Sequence, residues 1–340
     1  MSKSNEESER PTRLVYFGTP EYAVPALRML AKDPRFELSL VVTQPDRPAG
    51  RGHSLQEPPV KAVARELGVP FYQPQALRTP ELRQPLIDAG ADLFVVAAYG
   101  IIFGAKTLAI PRLGAINLHA SLLPKYRGAS PISAAILTGD EVTGITIIKM
   151  DSGLDTGATI SARSIAITPS DTTGSLTLRL AQFGADLLID TLPSWVNGEI
   201  VPVPQSVNGG STVRPMTKAD GWIDWSQSAR EIERQCRAMQ PWPKCWTTLP
   251  DGNVMQITLV SVNPAEDSDP GRVTVLQKRV IVASGRGAVE LLRVQIAGSA
   301  ESAAHTLING RKLATGEQLG MTGALDTQPP LIQRIGPIKG

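Results

Sequence analysis

Two polar residues and one later carboxylate could together act on a carbonyl group. Asn117 and His119 are two residues apart in INLHASLLPKYRGASPI (116–132), and a carboxylate follows at Asp155 or Asp151. The amide and a protonated imidazole could stabilise a developing oxyanion. The carboxylate could hold the charge of the imidazole and relay a proton from the attacking group. This set favours direct transfer of a carbonyl group between two bound molecules.

The sequence lacks the motifs of several other kinds of chemistry. Ser121 is outside a G-x-S-x-G turn, and the two cysteines, Cys236 and Cys245, come much later in the chain. The first turn, FGTPEYA, is not a G-x-G-x-x-G dinucleotide motif, and there is no G-x-x-x-x-G-K-[ST] loop. Direct transfer requires no metal, so we expect none.

A structural role is the alternative for the same residues. Asparagine at the end of a strand often satisfies local backbone groups, and a single histidine often packs without a catalytic role. GLDTG around Asp155 also fits a simple turn. Spacing alone leaves both interpretations open.

The segments around these residues predict a doubly wound α/β domain. The apolar run ADLFVVAAYG (91–100) is typical of a strand that is buried on both faces of a parallel sheet. Strands that alternate with helices indicate a Rossmann-like, mostly parallel sheet over residues 12–198, with Thr19 capping the first helix. Ligands bind beyond the carboxyl ends of such strands, where the polar segments 97–103, 117–128 and 150–158 should meet. The predicted strands are 13–18, 36–43, 91–98, one from about 115, 144–150 and 159–167, and the predicted helices are one after Thr19, 58–67, 79–88 and 173–192.

The composition changes after this domain. Residues 199–219 are rich in Pro, Gly and Ser, which predicts a linker. Residues 220–322 combine one helical pattern with short β-type runs, and they predict a smaller β-barrel of the OB type. Residues 1–11 and 323–340 are expected to be flexible tails.

Charge, cysteine content and hydropathy limit the classes of protein. The chain has 34 Lys and Arg against 32 Asp and Glu, so binding to nucleic acid would need a local basic patch. Two cysteines do not make a disulfide framework and fit a reducing compartment. The N-terminus has no apolar signal segment, and no apolar run approaches the roughly 20 residues that span a bilayer. We therefore expect a cytoplasmic protein that does not act at a membrane.

The segment NLHASLLPKYRGASPI resembles the signature of the folate-dependent formyltransferases, N-x-H-x-SLLP-x-x-RG-x-x-P, and GLDTG resembles their aspartate segment. This resemblance implies that 10-formyltetrahydrofolate donates the formyl group and that Asn117, His119 and Asp155 are catalytic. It assigns the SLLP segment as an apolar wall for the flat heterocycle. The folate-binding residues that it implies are Ser121, Leu122, Leu123, Pro124, Tyr99, Gly100, Ile101, Ile102 and Asp151.

Other segments resemble those members of the family whose acceptor is initiator methionyl-tRNA. TQPDRPAGRGHSLQEPPVK (43–61) resembles their inserted loop, and GWIDWS (221–226) and MQPWPKCW (239–246) resemble parts of their C-terminal domain. The resemblance covers about residues 13–320, and we expect a monomer. The residues expected to contact the tRNA are Arg51, Arg47, Arg214 and Lys218, with Arg237, Lys278, Arg279, Arg311 and Lys312 as further candidates.

Two other functions are weighed against this one. A member of the same family could formylate a small amine, such as an amino sugar nucleotide or glycinamide ribonucleotide. The 43–58 loop and the second domain argue against it, because a small acceptor needs neither. The chain could instead be a non-catalytic RNA-binding module, and the intact Asn117, His119 and Asp155 argue against that.

Overall fold

A computed structural model of the chain describes residues 10–49, 54–264, 269–310, 312–320 and 329–335. The first part is a seven-stranded mixed sheet with helices on both faces, and the second is a smaller antiparallel sheet with one long helix beside it. This architecture confirms the predicted fold class, while closure of the second sheet into a barrel stays a prediction. No helix within these ranges is long and apolar enough to cross a membrane.

The first part carries its strands in the order β10-β9-β7-β6-β1-β2-β5. The strands from β7 to β5 are parallel, and β9 and β10 are antiparallel additions at one edge. The elements are β1 Thr12–Gly18, α1 Val24–Lys32, β2 Phe36–Val42, β3 Arg47–Ala49, β4 Ser54–Gln56, α2 Pro59–Glu66, β5 Phe71–Tyr72, α3 Pro80–Asp88, β6 Leu93–Ala97, α4 Ala105–Leu108, β7 Ala115–His119, β8 Arg127–Gly128, α5 Pro131–Thr138, β9 Val142–Lys149, β10 Thr159–Ala166 and α6 Thr173–Val196.

Strand β6 shows why the sheet is covered on both faces. All five of its residues, LFVVA, are buried. Leu93 and Val95 pack into the core that includes α1, α5 and α6, whereas Phe94 and Val96 pack into the core on the α3 side. Successive strand residues point to opposite faces, so an uninterrupted apolar run needs two cores. Each such buried side chain contributes about 1.5–3 kcal/mol.

The start of the first helix differs from the prediction. Pro20, not Thr19, occupies the N-cap of a short 3₁₀ helix, Glu21–Ala23, which leads into α1. The Thr19 hydroxyl instead donates to the carbonyl oxygen of Tyr99 at 3.3 Å. The predicted cap is therefore wrong, because Thr19 bonds to the loop after β6 rather than to its own helix.

The second part carries its main strands in the order β12-β13-β16-β15-β14, with β17 paired to β16. Helix α7 begins with a capping box in which Ser228 and Glu231 bond to each other's backbone N–H groups, and it packs against α5 and β13. The elements are β11 Ser211–Val213, α7 Ala229–Ala238, β12 Cys245–Thr248, β13 Val254–Asn263, β14 Val273–Leu276, β15 Arg279–Ala283, β16 Ala288–Ile296, β17 Ser302–Ala303, α8 Thr306–Asn309 and β18 Ile332–Arg334.

The connecting segment, residues 199–219, contacts the first part at several places. Val203 forms a β-bridge with Thr159 of β10. Strand β11 pairs in parallel with β8 and antiparallel with β18, so a three-stranded sheet joins the predicted linker and the predicted C-terminal tail to the first part. The proposed domain boundaries stay a prediction, but this segment is anchored close to β8.

Asp92, just before β6, accepts hydrogen bonds from two other segments of the chain. Its side chain is 6% exposed and accepts hydrogen bonds from the backbone N–H of Arg13 at 3.0 Å and from Nε of Arg112 at 2.7 Å. Burial alone would raise the pKa of Asp92, but these bonds outweigh it and lower the pKa. The carboxylate is thus stabilised in its charged form.

We expect Asp92→Asn to lower the free energy of unfolding at pH 7 by about 1–3 kcal/mol, because the N–H groups of Arg13 and Arg112 would then face a neutral amide instead of a buried carboxylate. The folded-state pKa is lowered, so the stabilisation is complete above the unfolded value of about 3.9 and is lost as the pH falls through the folded value. Urea unfolding should therefore show a difference from wild type that narrows below about pH 4. Asp190→Asn is the control, since Asp190 pairs with Arg163 but is 63% exposed. Equal losses in the two variants would contradict the role of Asp92.

Candidate active site

Three segments at one end of the first sheet carry the predicted residues. Asn117 and His119 lie in β7, Asp155 lies in the loop between β9 and β10, and Tyr99 begins the turn after β6. Strands β6 and β7 are parallel neighbours, and β9 lies beside β7 with Asn117 opposite Ile148. This strand order places the three segments at one end of the sheet.

The Asp155 carboxylate is the centre of the site. Nδ2 of Asn117 donates to Oδ1 at 3.1 Å, and the backbone N–H of Gly128 donates to Oδ2 at 2.8 Å. Nδ1 of His119 lies 3.4 Å from Oδ2, and the His119 and Asp155 side chains are 5% and 14% exposed. The structure therefore brings the three residues of the predicted catalytic set into contact, with Asp155 rather than Asp151 as the carboxylate.

Both ring nitrogens of His119 face acceptors. Nε2 lies 2.8 Å from the carbonyl oxygen of Tyr126, and because a carbonyl only accepts, Nε2 carries a hydrogen. Nδ1 contacts the Asp155 carboxylate favourably when it also carries a hydrogen. Its distance of 3.4 Å exceeds the usual range of about 2.7–3.2 Å, so this contact is the weaker one. The ring is held in one orientation while Nδ1 is only loosely engaged.

Asp151 shapes the loop that carries Asp155. Its Oδ1 accepts hydrogen bonds from the backbone N–H of Gly153 at 3.0 Å and from the hydroxyl of Thr156 at 2.6 Å. Asp155 itself has φ +52°, in the left-handed region that aspartate tolerates better than most residues. The carboxylate of Asp155 reaches its partners from this backbone conformation.

A cavity of about 840 Å³ adjoins the set, within the range of small-molecule sites. Asn117, His119 and Asp155 line it. Of the predicted folate residues, those that line it are Tyr99, Gly100, Ile101, Ile102 and Asp151. Much of its apolar lining comes from Val96, Ile101, Phe103, Ile132, Ile148 and Met150.

The SLLP segment directly follows Ala120, which lines the cavity. Among the described residues, the cavity lining does not include Ser121, Leu122, Leu123 or Pro124. Ser121 is fully buried and its hydroxyl donates to the carbonyl oxygen of Lys125 at 2.6 Å, while the backbone N–H of Leu123 donates to the Thr146 hydroxyl at 3.1 Å. These bonds fix the turn that leads to Tyr126 and Gly128, while a contact of this segment with the folate stays a prediction.

Two backbone groups of the site were missed by the sequence analysis. The carbonyl of Tyr126 fixes His119, and the N–H of Gly128 binds Asp155. Both follow the SLLP turn, and the RG of the signature marks the place. Residue type does not reveal that a main-chain N–H acts as a donor. Position 128 does require glycine, because its φ is +106° and a Cβ there would lie 2.4 Å from the carbonyl oxygen of Val213.

The predicted tRNA contacts are in different environments. Arg47 and Lys218 are exposed, whereas the Arg214 guanidinium donates to both carboxylate oxygens of Asp220, at 2.8 and 2.6 Å. Among the further candidates, Arg237 pairs with Glu233 and Arg279 with Glu290. Predicted residues that lie outside the described part of the chain are Arg51 and Arg311.

Comparison with known families places both parts of the chain. The family described as "Formyl transferase" matches residues 12–192, and "Formyl transferase, C-terminal domain" matches residues 215–312. The fold and the site therefore define a formyltransferase.

Curated relatives extend over nearly the whole chain. The methionyl-tRNA formyltransferase of Methylococcus capsulatus is 42% identical over 309 residues, which cover 91% of this chain and 99% of that protein. The enzyme of the same name from Sorangium cellulosum is 42% identical over 312 residues, with the same coverage. The chain belongs to the methionyl-tRNA formyltransferase family, which confirms the resemblance seen in the sequence.

Solved structures share the fold at lower identity. WlaRD, a sugar 3N-formyl transferase crystallised in the presence of dTDP and 5-N-formyl-THF, has a TM-score of 0.62 at 15% identity, covering 86% of this chain and all of that one. An N-formyltransferase from Helicobacter canadensis, in complex with folinic acid and dTDP-3-aminofucose, has a TM-score of 0.61 at 17% identity and covers 82% and 98%. These likenesses show the fold.

Gly128→Ala should lower the free energy of unfolding by about 2–4 kcal/mol, because it combines an unfavourable φ with a clash against Val213. Gly209→Ala is the matched control: Gly209 has φ +76°, but nothing lies within 4 Å of an added Cβ. We expect that variant to lose about 1–2 kcal/mol. Urea unfolding of both variants measures the difference, and equal losses would show that β8 can move away from β11 at no cost.

Proposed function

We propose that this enzyme transfers the formyl group of 10-formyltetrahydrofolate to the α-amino group of methionine esterified to initiator tRNA, which gives N-formylmethionyl-tRNA for translation initiation. The observation that carries the proposal is the contact of Asn117, His119 and Asp155 on one wall of the cavity, in a chain of this family. Membership of the family supports the acceptor.

The cavity suits the folate co-substrate in size and chemistry. Its apolar lining would pack against a flat heterocycle, and backbone groups of the turn after β6 and of residues 151–155 would pair with the polar edge of the pterin. The Tyr99 carbonyl already accepts hydrogen bonds from Thr19 and Gln44. We therefore assign the contacts from this turn to Gly100–Ile102 rather than to Tyr99.

Formyl transfer then follows from the groups in contact. The amine must be neutral to attack, and free α-amino groups have pKa values near about 7.7–8.0, so little assistance is needed. The amine nitrogen bonds to the formyl carbon, and the second N–H of the Asn117 amide and His119 stabilise the oxygen of the tetrahedral species. Asp155 accepts the proton that the amine loses, directly or through water. His119 gives a proton from Nδ1 to the folate nitrogen as the original carbon–nitrogen bond breaks.

Asn117→Ala is expected to lower the single-turnover rate of formylation by about 10²–10³-fold, because it removes an oxyanion donor. Asp155→Asn is expected to lower it by about 10²–10⁴-fold, because it removes the proton acceptor. Quench-flow measurement with saturating substrates gives the rates. Asn197→Ala is the control, since Asn197 also donates its amide to a carboxylate, that of Glu199, on the surface. A near-normal rate in either site variant would remove that residue from the mechanism.

The RNA interaction is assigned to the loop between β2 and α2. Arg47 is exposed in the β3–β4 hairpin of this loop. Phosphate contacts from such arginines would steer the acceptor end toward the cavity and would weaken with added salt.

Arg51→Ala should raise the KM for methionyl-tRNA and leave the KM for 10-formyltetrahydrofolate unchanged. The KM of wild type for the tRNA should also rise more steeply with salt than that of the variant, because one phosphate contact has gone. Steady-state kinetics at two salt concentrations test this, with Arg163→Ala, which removes a surface arginine on β10, as the control. An unchanged KM for the tRNA would exclude the assignment to this loop.

A small amine is the second candidate acceptor, and the shared fold with a sugar 3N-formyl transferase and with an N-formyltransferase in complex with dTDP-3-aminofucose favours including it. Parallel assays with methionyl-tRNA, an amino sugar nucleotide and glycinamide ribonucleotide separate the two. Formylation of a small amine alone would replace the tRNA proposal.

We place this activity in the cytoplasm and expect a monomer to bind the tRNA. Both cysteines are free and buried, which fits a reducing compartment.

A further inference from the structure

Gln205, in the segment that the sequence marks only as a linker, is bonded to the loop that carries Asp155. Its Nε2 donates to the carbonyl oxygens of Asp155 at 2.7 Å and Gly157 at 2.8 Å. Its Oε1 accepts from Nε of Arg127 at 3.0 Å and from Nη2 at 2.7 Å. Carbonyls only accept and a guanidinium only donates, so the amide has one orientation that satisfies all four bonds.

These bonds act on a backbone conformation that needs support. Asp155 has φ +52°, and such left-handed conformations cost about 1–2 kcal/mol outside glycine. Gln205 binds the carbonyls on either side of Thr156, so it fixes the direction of the chain on leaving Asp155. In this conformation the carboxylate accepts hydrogen bonds from Asn117 and Gly128.

Arg127 links the same bonds to the other side of the carboxylate. It directly precedes Gly128, whose N–H donates to Oδ2 of Asp155. Strand β8 thus reaches Asp155 twice, once through the Gly128 amide and once through Arg127 and Gln205. Gln205 is itself anchored two residues earlier, where Val203 and Thr159 exchange backbone hydrogen bonds of 2.7 and 2.8 Å.

Gln205 and Arg127 are absent from the lining of the cavity as the described residues outline it. The bonds of Gln205 instead lead to the backbone of Asp155 and, through Arg127, to Gly128. We propose that Gln205 is a positioning residue for formyl transfer, which holds Asp155 in register with Asn117, His119 and Gly128. This inference rests on the proposed function and adds to it the residue that sets the geometry of the carboxylate.

Gln205→Ala should lower kcat by about 10–100-fold, because a small displacement of a catalytic group slows a reaction by about this much. Both KM values should stay unchanged. Gln205→Glu keeps the size and the bonds from Arg127 but cannot donate to the two carbonyls, so the same fall in kcat is expected. Gln295→Ala is the matched control, because Gln295 also donates to a backbone carbonyl, that of Ser299, and accepts from a cation, Lys244, in the second part. A wild-type kcat in Gln205→Glu would overturn the proposal.

A double-mutant cycle distinguishes positioning from general support of the fold. If Gln205 acts through the Asp155 carboxylate, then Gln205→Ala should change the rate of Asp155→Asn by no more than about 2-fold. Independent losses that multiply would overturn the proposal, since they would mean that Gln205 acts elsewhere.

One readout does not depend on the acceptor. Hydrogen exchange at the Gly128 amide, in the full chain without substrates, should be faster in Gln205→Ala than in wild type or Gln295→Ala, because the Asp155 carboxylate moves away from it. Unchanged exchange at Gly128 would overturn the positioning role. An inactive wild type with normal protection of this amide would instead count against the proposed function alone.

Discussion

The site depends on a largely buried carboxylate that is hydrogen-bonded by groups from separate segments of the chain. A buried charge is costly unless it is paired and hydrogen-bonded. The Asn117 amide donates to one oxygen of Asp155, and the Gly128 N–H donates to the other, which also lies 3.4 Å from the His119 ring, so all three groups meet at one carboxylate. The stability of this buried charge and the arrangement of the proposed catalytic residues therefore depend on one set of bonds.

The strand order of the first sheet brings this set of groups together. Parallel strands β6 and β7 bring the Tyr99 turn and the Asn117–His119 pair side by side. The antiparallel β9 brings the Asp155 loop to the same end of the sheet. The connecting segment then adds β11 beside β8 and carries residues 213–216 to the cavity. A formyl donor bound there would lie against groups that are already oriented, which reduces the reorganisation that the reaction requires.

Much of this could be predicted because it depends on local pattern. The run at β6 predicts a doubly covered strand, and the spacing of Asn117, His119 and GLDTG matches a known signature. The pattern gives the types of the SLLP residues but not the hydrogen bond from the buried Ser121 hydroxyl to the Lys125 carbonyl. Thr19 likewise has the residue type of a cap but bonds across to Tyr99.

Long-range contacts account for what could not be predicted. The sheet of β8, β11 and β18 joins residues near 127, 212 and 333, and no local pattern indicates such a pairing. Gln205 lies in a stretch whose composition reads as a linker, and its importance arises from carbonyls about 50 residues earlier.

A crystal structure of this chain with 5-formyltetrahydrofolate bound would test the central claim most directly. The account predicts the pterin in the cavity, the formyl-bearing end beside Asn117 and His119, and the Asp155 carboxylate still bonded to Gly128. A folate bound elsewhere, or an Asp155 turned away from both side chains in that complex, would contradict it.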